Sequence, residues 1–443
     1  MDKHSRRAFI GTAVAAGALA ISCGKSGAPK VSVPQLRDQA PDGPELKAGL
    51  IGCGGRGTGA AINFLKAGPN LKIVAMGDVF QDRIDGSLKK IGEQTGQSVP
   101  PEMCFAGFDA FKKVLDAGVD IVILATPPHF RPEHFAAAVA AGKHVFMEKP
   151  VAVDPVGIRS VIETAGQAKT KNLCVVTGTQ RHHQRQYIEA YHRVKAGAIG
   201  DIVAARCYWN QSQLWYRDRQ KGWSDMEWMI RDWVNWSWLS GDHIVEQHVH
   251  NIDVINWFTG AHPVKSVGFG ARHRRVTGDQ YDFFEVDFEY ENGMHLNSMC
   301  RQIDGCVNNV SEFLVGTEGS TNGSNTIWNP DGSIKWKFVA LEEGQTEEPQ
   351  AYEVTYAKNV KSPYDQEHID LVTAIRTSAP LNEARATAES TMCAIMGRIS
   401  AYTGKETNWK EMMDSEMRLG PTEYTLGRVD MEPVAPVPGT SKA

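Results

Sequence analysis

The chain has no long apolar run beyond its first thirty residues, no closely paired cysteines and no excess of basic charge. Each absence removes a class of function. Without about 20 consecutive apolar residues there is no helix of bilayer-spanning length. The eight cysteines (Cys23, Cys53, Cys104, Cys174, Cys207, Cys300, Cys306 and Cys393) are scattered singly, which speaks against a zinc ribbon or a dense disulfide framework. Cys53, Cys174 and Cys207 sit in apolar runs and read as inert core residues. A formal net charge of -5 provides no basic footprint, so nucleic acid is not an expected partner. No internal repeat is found. What remains is an ordinary globular composition, 42% hydrophobic and 22% charged, on 443 residues. That length exceeds one comfortable core, and two domains are expected.

The N-terminus carries Ser5-Arg6-Arg7-Ala8-Phe9-Ile10-Gly11, then a weakly apolar stretch from Thr12 to Ser22 built largely of Ala, Gly and Val. It is too short and too small-residued for a spanning helix and reads as a twin-arginine export signal, with the Tat machinery as partner and the periplasm as destination. Ala20-Ile21-Ser22-Cys23 resembles a lipoprotein cleavage box. Lipidation of Cys23, as a membrane anchor, and ordinary cleavage nearby stay open as alternatives. Residues 24–44 are rich in Pro, Gly, Ser and Lys and suit a flexible tether. The twin-arginine route moves folded proteins, so a dissociable cofactor would have to be held tightly and recycled in its site.

Residues 45–178 alternate strand and helix patterns, as a Rossmann-type doubly wound parallel sheet does. The strand-like Lys47 to Ile51 leads into Gly52-Cys53-Gly54-Gly55-Arg56-Gly57, followed by an amphipathic stretch closed by Gly68-Pro69. A glycine motif of this type gains meaning between a strand and a helix. Gly52 allows the tight turn, Gly54 the approach of a pyrophosphate, and Gly57 close helix–strand contact, while the helix N-terminus faces the phosphates. Asp78 ends the next apolar run about 20 residues on, where a carboxylate hydrogen-bonds ribose hydroxyls and disfavours a 2′-phosphate. NAD is therefore expected over NADP. The later strand ends place Thr126, Pro127 and His129, and Glu148-Lys149-Pro150, near the nicotinamide; Gly55 and Arg56 complete the expected cofactor contacts.

At these residues the chain resembles the Gfo/Idh/MocA (glucose-fructose oxidoreductase-like) family. The resemblance rests on the glycine turn, on Ala125-Thr126-Pro127-Pro128-His129, and on Ala141-Gly142-Lys143-His144-Val145 leading into Glu148-Lys149-Pro150. It extends from about Lys47 to about Lys410. It implies a second, α+β domain with an open antiparallel sheet that carries the substrate site and often a subunit interface, hence a homo-oligomer. It implies that Lys149 contacts the reacting hydroxyl and that Pro150 is cis. It also implies a helix with the pattern Asp-x-Gly-x-His-x-x-Asp. Here that helix reads Glu246-Gln247-His248-Val249-His250-Asn251-Ile252-Asp253, with Glu246 and His248 departing from the pattern.

Helical spacing puts His243, Glu246, His250, Asp253 and Trp257 on one face. Glu246, four residues before His250, is expected to orient that ring as general base, with Lys149 polarising the oxygen. Two rivals are a structural helix lining a solvated crevice and a metal site of His243, Glu246 and His250; no metal is expected.

In the second domain, assigned to 179–410, Arg181, His182 and His183 can reach sugar hydroxyls or simply open a solvated helix. Seven of the 11 tryptophans fall between Trp209 and Trp238, interleaved with Arg, Asp and Asn. Indoles pack on the C–H faces of sugars, so this reads as a carbohydrate loop including Trp233; Asp253 is a further substrate contact. An aromatic lid or oligomer contact is the alternative. Alternating runs from Val264 to Val315 predict hairpins, Tyr364–Thr377 and Glu383–Tyr402 predict helices, and 411–443 reads as a Pro-rich tail with little to pack. The functional expectation is oxidation or reduction of a secondary hydroxyl on a sugar or glycoside. Alternatives are a glycosidase acting through a transient keto-sugar and a non-catalytic sugar-binding protein.

Overall fold

Six short runs from residue 46 onward form one parallel sheet: β1 (Leu46–Ile51), β2 (Leu71–Asp78), β3 (Cys104–Ala106), β4 (Ile121–Leu124), β5 (His144–Met147) and β6 (Val175–Thr177). The computed structural model describes residue 34, residues 36–431 and residues 434–440; the twin-arginine segment and Cys23 lie outside these. Strand order is β3-β2-β1-β4-β5-β6, which reverses direction of travel between β1 and β4 and opens a crevice at their carboxyl ends. All four residues of β4 are buried, as expected of a strand covered by helices on both faces. The helices Gln81–Thr95 and Pro155–Thr170 carry fewer apolar residues than the strands and were not legible in the sequence pattern. Asp154 caps the second through the Gly157 amide at 2.8 Å, with Pro155 at its first position.

The second sheet has ten strands: β7 (Ile202–Gln211), β8 (Pro263–Ala271), β9 (Phe283–Tyr290), β10 (His295–Gln302), β11 (Asn309–Gly316), β12 (Gly319–Thr321), β13 (Thr326–Trp328), β14 (Ile334–Leu341), β15 (Glu353–Lys358) and β16 (Thr407–Asn408). It is mixed rather than purely antiparallel, because β7 pairs parallel with β10 and β14 with β15. One face buries Phe284, Val286 and Phe288 against the helix Ala384–Thr403. The other leaves Val267, Phe269, Phe283 and Val315 exposed.

The linear boundaries at 178 and 410 do not describe the packing. Ile369, Leu371 and Val372 of the helix Pro363–Arg376 join Ile73, Ile123 and Phe146 in the first domain's core. Nor is the tail unpacked. Leu419, Tyr424, Val429 and Met431 enter a separate apolar cluster with Phe80 and Phe130 of the first domain and Met226, Ile230 and Trp238 of the second. The tail's apolar residues are too sparse to show a period, so only tertiary contact reveals them.

The crossover between the domains is pinned by His183. Expected on the substrate, it is instead fully enclosed, with Nδ1 2.7 Å from Asp370 and Nε2 3.1 Å from Glu383. The two carboxylates raise its pKa well above the ordinary histidine range, against the effect of burial. An imidazolium so placed stabilises the fold fully below the unfolded pKa of about 6.5, and that contribution is lost as pH rises through the raised folded value. Replacing it (His183→Gln) leaves two buried carboxylates without their cation and is expected to cost about 3–5 kcal/mol near neutral pH. Urea unfolding should show the deficit, and it should shrink toward about pH 4.5 as those carboxylates take up protons in the variant.

Candidate active site

The glycine turn between β1 and the helix Gly55–Lys66 divides its labour as the spacing predicts. Gly52 has φ +96°, and a Cβ there would lie 2.6 Å from the Ala125 carbonyl carbon. A Cβ on Gly57 would lie 1.9 Å from the Gly52 oxygen. On Gly54 and Gly55 it would meet nothing within 4 Å. The first pair is thus closed by backbone, while the second faces open space, where a pyrophosphate could approach. No side chain caps the helix, which leaves its first-turn N–H groups for an anion. These residues line a cavity of about 460 Å³ together with Asp78, Thr126 and Pro127. Asp78 accepts from the amides of Cys53 at 2.7 Å and Phe80 at 3.0 Å, which fixes its carboxylate at the cavity wall. Burial raises its pKa against those hydrogen bonds. The open backbone, uncapped helix and fixed acid fit a dinucleotide.

Beyond β5, the peptide Lys149–Pro150 is cis. The Lys149 ammonium donates to the Glu246 carbonyl and lies 3.1 Å from the Glu246 carboxylate, joining the two domains. The expected single helix through this region is broken: one turn spans His243–Glu246, and a second helix starts at Val249 and runs to Thr259. Glu246 therefore does not orient His250. Its oxygens go to Lys149 and to the Gln247 amide. His250 is buried and its imidazole makes no hydrogen bond; it stacks on Trp209, ring centroids 5.5 Å apart. Burial first, then the charges of Lys149 and Arg181, hold its pKa well below the ordinary value. The ring is consequently neutral at physiological pH and able to accept a proton.

Residues 46–178 match the family described as oxidoreductase, NAD-binding Rossmann fold, and residues 187–322 match the GFO/IDH/MocA C-terminal domain. The chain belongs to the Gfo/Idh/MocA family of oxidoreductases. Its first domain is an NAD-binding Rossmann domain, and NAD is the cofactor that this site takes. A glycosyl hydrolase family 109 protein of Streptomyces coelicolor is 28% identical over 211 residues, 45% of this chain and 43% of that protein's length. The scyllo-inositol 2-dehydrogenase (NAD(+)) of Bacillus subtilis is 23% identical over 281 residues, 62% of this chain and 73% of the other. The fold is shared with an aldose-aldose oxidoreductase from Caulobacter crescentus complexed with glycerol, at TM-score 0.61, 18% identity and coverage of 82% of this chain and 100% of that one. It is shared also with scyllo-inositol dehydrogenase from Lactobacillus casei with bound NAD(H) and scyllo-inositol, at TM-score 0.57, 20% identity, 82% and 99% coverage.

Several residues expected on ligand in this Gfo/Idh/MocA chain are engaged elsewhere. Arg56 borders the cavity, but its guanidinium bonds Glu148 and lies 3.3 Å from Glu367. Glu148 is thereby turned inward, its second oxygen accepting from the Lys149 amide at 3.3 Å. His129 faces away from the cavity because the turn Pro128–Phe130 swings its ring onto the tail. There it bonds the Tyr424 hydroxyl at 2.6 Å, and burial lowers its pKa to about 4. Arg181 pairs with Glu312 at 2.6 Å, and His182 with Asp253 at 2.6 Å, all four buried. These side chains position the residues around His250; Arg181 lies 5.7 Å over the Trp209 ring that stacks on it. Trp233 lines the dinucleotide cavity. His134, which no motif singled out, lines the cavity too and lies 3.3 Å from the Thr126 hydroxyl. Glu246 and His243 turn to Lys149 and Asp242, and no group of metal-type ligands converges among the described residues.

Two glycine substitutions should separate folding from binding. Gly57→Ala is expected to destabilise by about 1–3 kcal/mol through its backbone clash. Gly54→Val should leave the melting temperature nearly unchanged while weakening NAD binding in calorimetry, since its side chain occupies open space.

Loss of the Lys149 charge (Lys149→Met) should raise the pKa of His250, because one depressing cation is gone and Glu246 is left unpaired. An imidazole NMR titration should show His250 protonating at higher pH than in the unsubstituted protein.

Proposed function

We propose that the protein oxidises or reduces a secondary hydroxyl of a sugar, glycoside or related polyol. The carrying observation is His250, a neutral imidazole with no hydrogen-bonded partner, stacked on Trp209 and near enough to Lys149 for that ammonium to lower its pKa. Bound NAD supplies the hydride acceptor or donor. His250 takes the hydroxyl proton as the C–H bond gives up its hydride, and returns it in the reverse direction. Lys149 directs its charge at the same oxygen, where negative charge grows as the proton leaves. Glu246 fixes that ammonium in place.

Kinship to named inositol dehydrogenases supports a polyol or sugar substrate. Kinship to a family 109 glycosyl hydrolase favours a second reading, in which the same oxidation is transient and leads to elimination of an aglycone. We propose further that the twin arginine at Arg6–Arg7 directs export to the periplasm, with the cofactor carried in the folded protein and recycled there. The exposed sheet face, with Val267 and Phe269, supports a homo-oligomer.

Mixing purified protein with a panel of polyols, sugars and aryl glycosides should change the nicotinamide absorbance. A keto product supports net dehydrogenation, and a released aglycone with no net redox change supports the second reading. His250→Ala should lower kcat by about 100-fold or more in either case. A variant that keeps full activity would exclude His250 as the base.

Phe269→Asp should yield a smaller species than the unsubstituted protein in light scattering. An unchanged mass argues against association through this face.

A further inference from the structure

The outer wall of the dinucleotide cavity comes from the second domain. Trp215, Arg217, Ile230, Arg231 and Trp233 line it opposite the glycine turn and Asp78. Their segment is tied down rather than free. Trp228 Nε1 donates to the Arg217 carbonyl at 2.8 Å, the Arg217 amide donates to Asp232 at 2.7 Å, and Asn235 donates to the Trp215 carbonyl at 3.3 Å. Trp215 and Trp233 meet edge to face, centroids 6.3 Å apart, yet Trp215 stays 44% exposed. The Arg217 guanidinium packs on Trp215 and makes no hydrogen bond. Arg83, across the cavity, is likewise without a hydrogen-bonded partner, and the two positive charges oppose one another. Apolar rings with uncovered faces and unpaired guanidinium groups are what an adenine ring and phosphates would satisfy.

This wall is latched to the Rossmann domain at one edge. Arg231 forms a two-pronged pair with Asp82 at 2.9 and 3.0 Å and lies 3.8 Å over the Phe80 ring. Behind it, the tail straps both domains. The Leu419 amide donates to Asp154 at 2.9 Å, Tyr424 bonds His129, and the Val429 amide donates to Asp225 at 3.2 Å.

We propose that Trp215, Arg217 and Trp233 are dinucleotide-retaining residues. They form a clasp over the adenosine half of NAD that must open before the cofactor can leave. The inference rests on the dinucleotide reading of the cleft and adds residues from the second domain to it. Residence is set mainly by the rate of leaving, so a clasp acts on dissociation more than on capture.

The test uses the full chain and two probes, NADH and ADP-ribose. Chasing bound NADH with excess NAD in a stopped-flow fluorimeter gives the dissociation rate constant. Trp233→Leu and Arg217→Met should each raise it by about tenfold or more. Asp82→Asn, which loosens only the exposed latch, should raise it by a smaller factor with an unchanged melting temperature. ADP-ribose should lose affinity in Trp233→Leu and Arg217→Met in calorimetry, whereas Tyr216→Ala, outside the cavity wall, should match the unsubstituted protein. Dissociation rates within about twofold of the unsubstituted protein in all three clasp and latch variants overturn the clasp while leaving the dinucleotide site standing. Failure of the unsubstituted protein to bind ADP-ribose or NADH overturns the dinucleotide reading, and the clasp with it.

Discussion

The pair between Lys149 and Glu246 is the one contact that both domains must make for a site to exist. Lys149 stands at the end of a parallel strand of the first domain, and Glu246 at the break between two helical pieces of the second. Both are nearly excluded from water, with side chains 11% and 9% exposed. An ion pair in such surroundings gains little net stability over apolar residues of the same size, but losing either partner leaves an uncompensated charge. Its value here is positional. It fixes where the ammonium points, and with it the charge that adds to burial in holding the His250 pKa down.

Around that contact lie layers of buried polar pairs. Arg181–Glu312, His182–Asp253 and His183 between Asp370 and Glu383 surround the strand end and the helix bearing His250. Each is a charged or polar group sealed in the interior with its complement, a costly arrangement unless geometry is closely held. Their common effect is to make the approach of the second domain to the first a matter of fixed partners rather than of apolar sliding.

The parallel sheet, the glycine turn and Asp78 were legible in the sequence because local pattern determines them: a strand period, three glycine positions and a fixed interval to an acid. Lys149 and His250 were legible through motif resemblance. What the sequence could not give was partnership. Arg181, His182, His183 and Asp253 have the chemistry of sugar ligands, and only the fold reveals that each stands against a protein partner: Arg181 against Glu312, His182 against Asp253, and His183 against Asp370 and Glu383. Spacing placed Glu246 and His250 on one helical face, but the helix breaks at Gln247 and His248, a break no proline or glycine announces. The tryptophan segment looked like a sugar platform on composition, and indoles do not record which ligand they will meet.

The two departures from the pattern that the resemblance implies, Glu246 and His248, both lie at this break. His248, where the family has Gly, fills an interior position, its ring 2.7 Å from the Ser298 hydroxyl and its pKa lowered by burial to about 3. The helix is interrupted at this residue and at Gln247 before it. Glu246 then ends one helical piece rather than continuing toward His250, and its carboxylate must cross the domain boundary to meet Lys149. The two residues that flank the break thus have separate anchors: the imidazole at 248 is held in the second domain by Ser298, and the carboxylate at 246 is held across the domain boundary by Lys149.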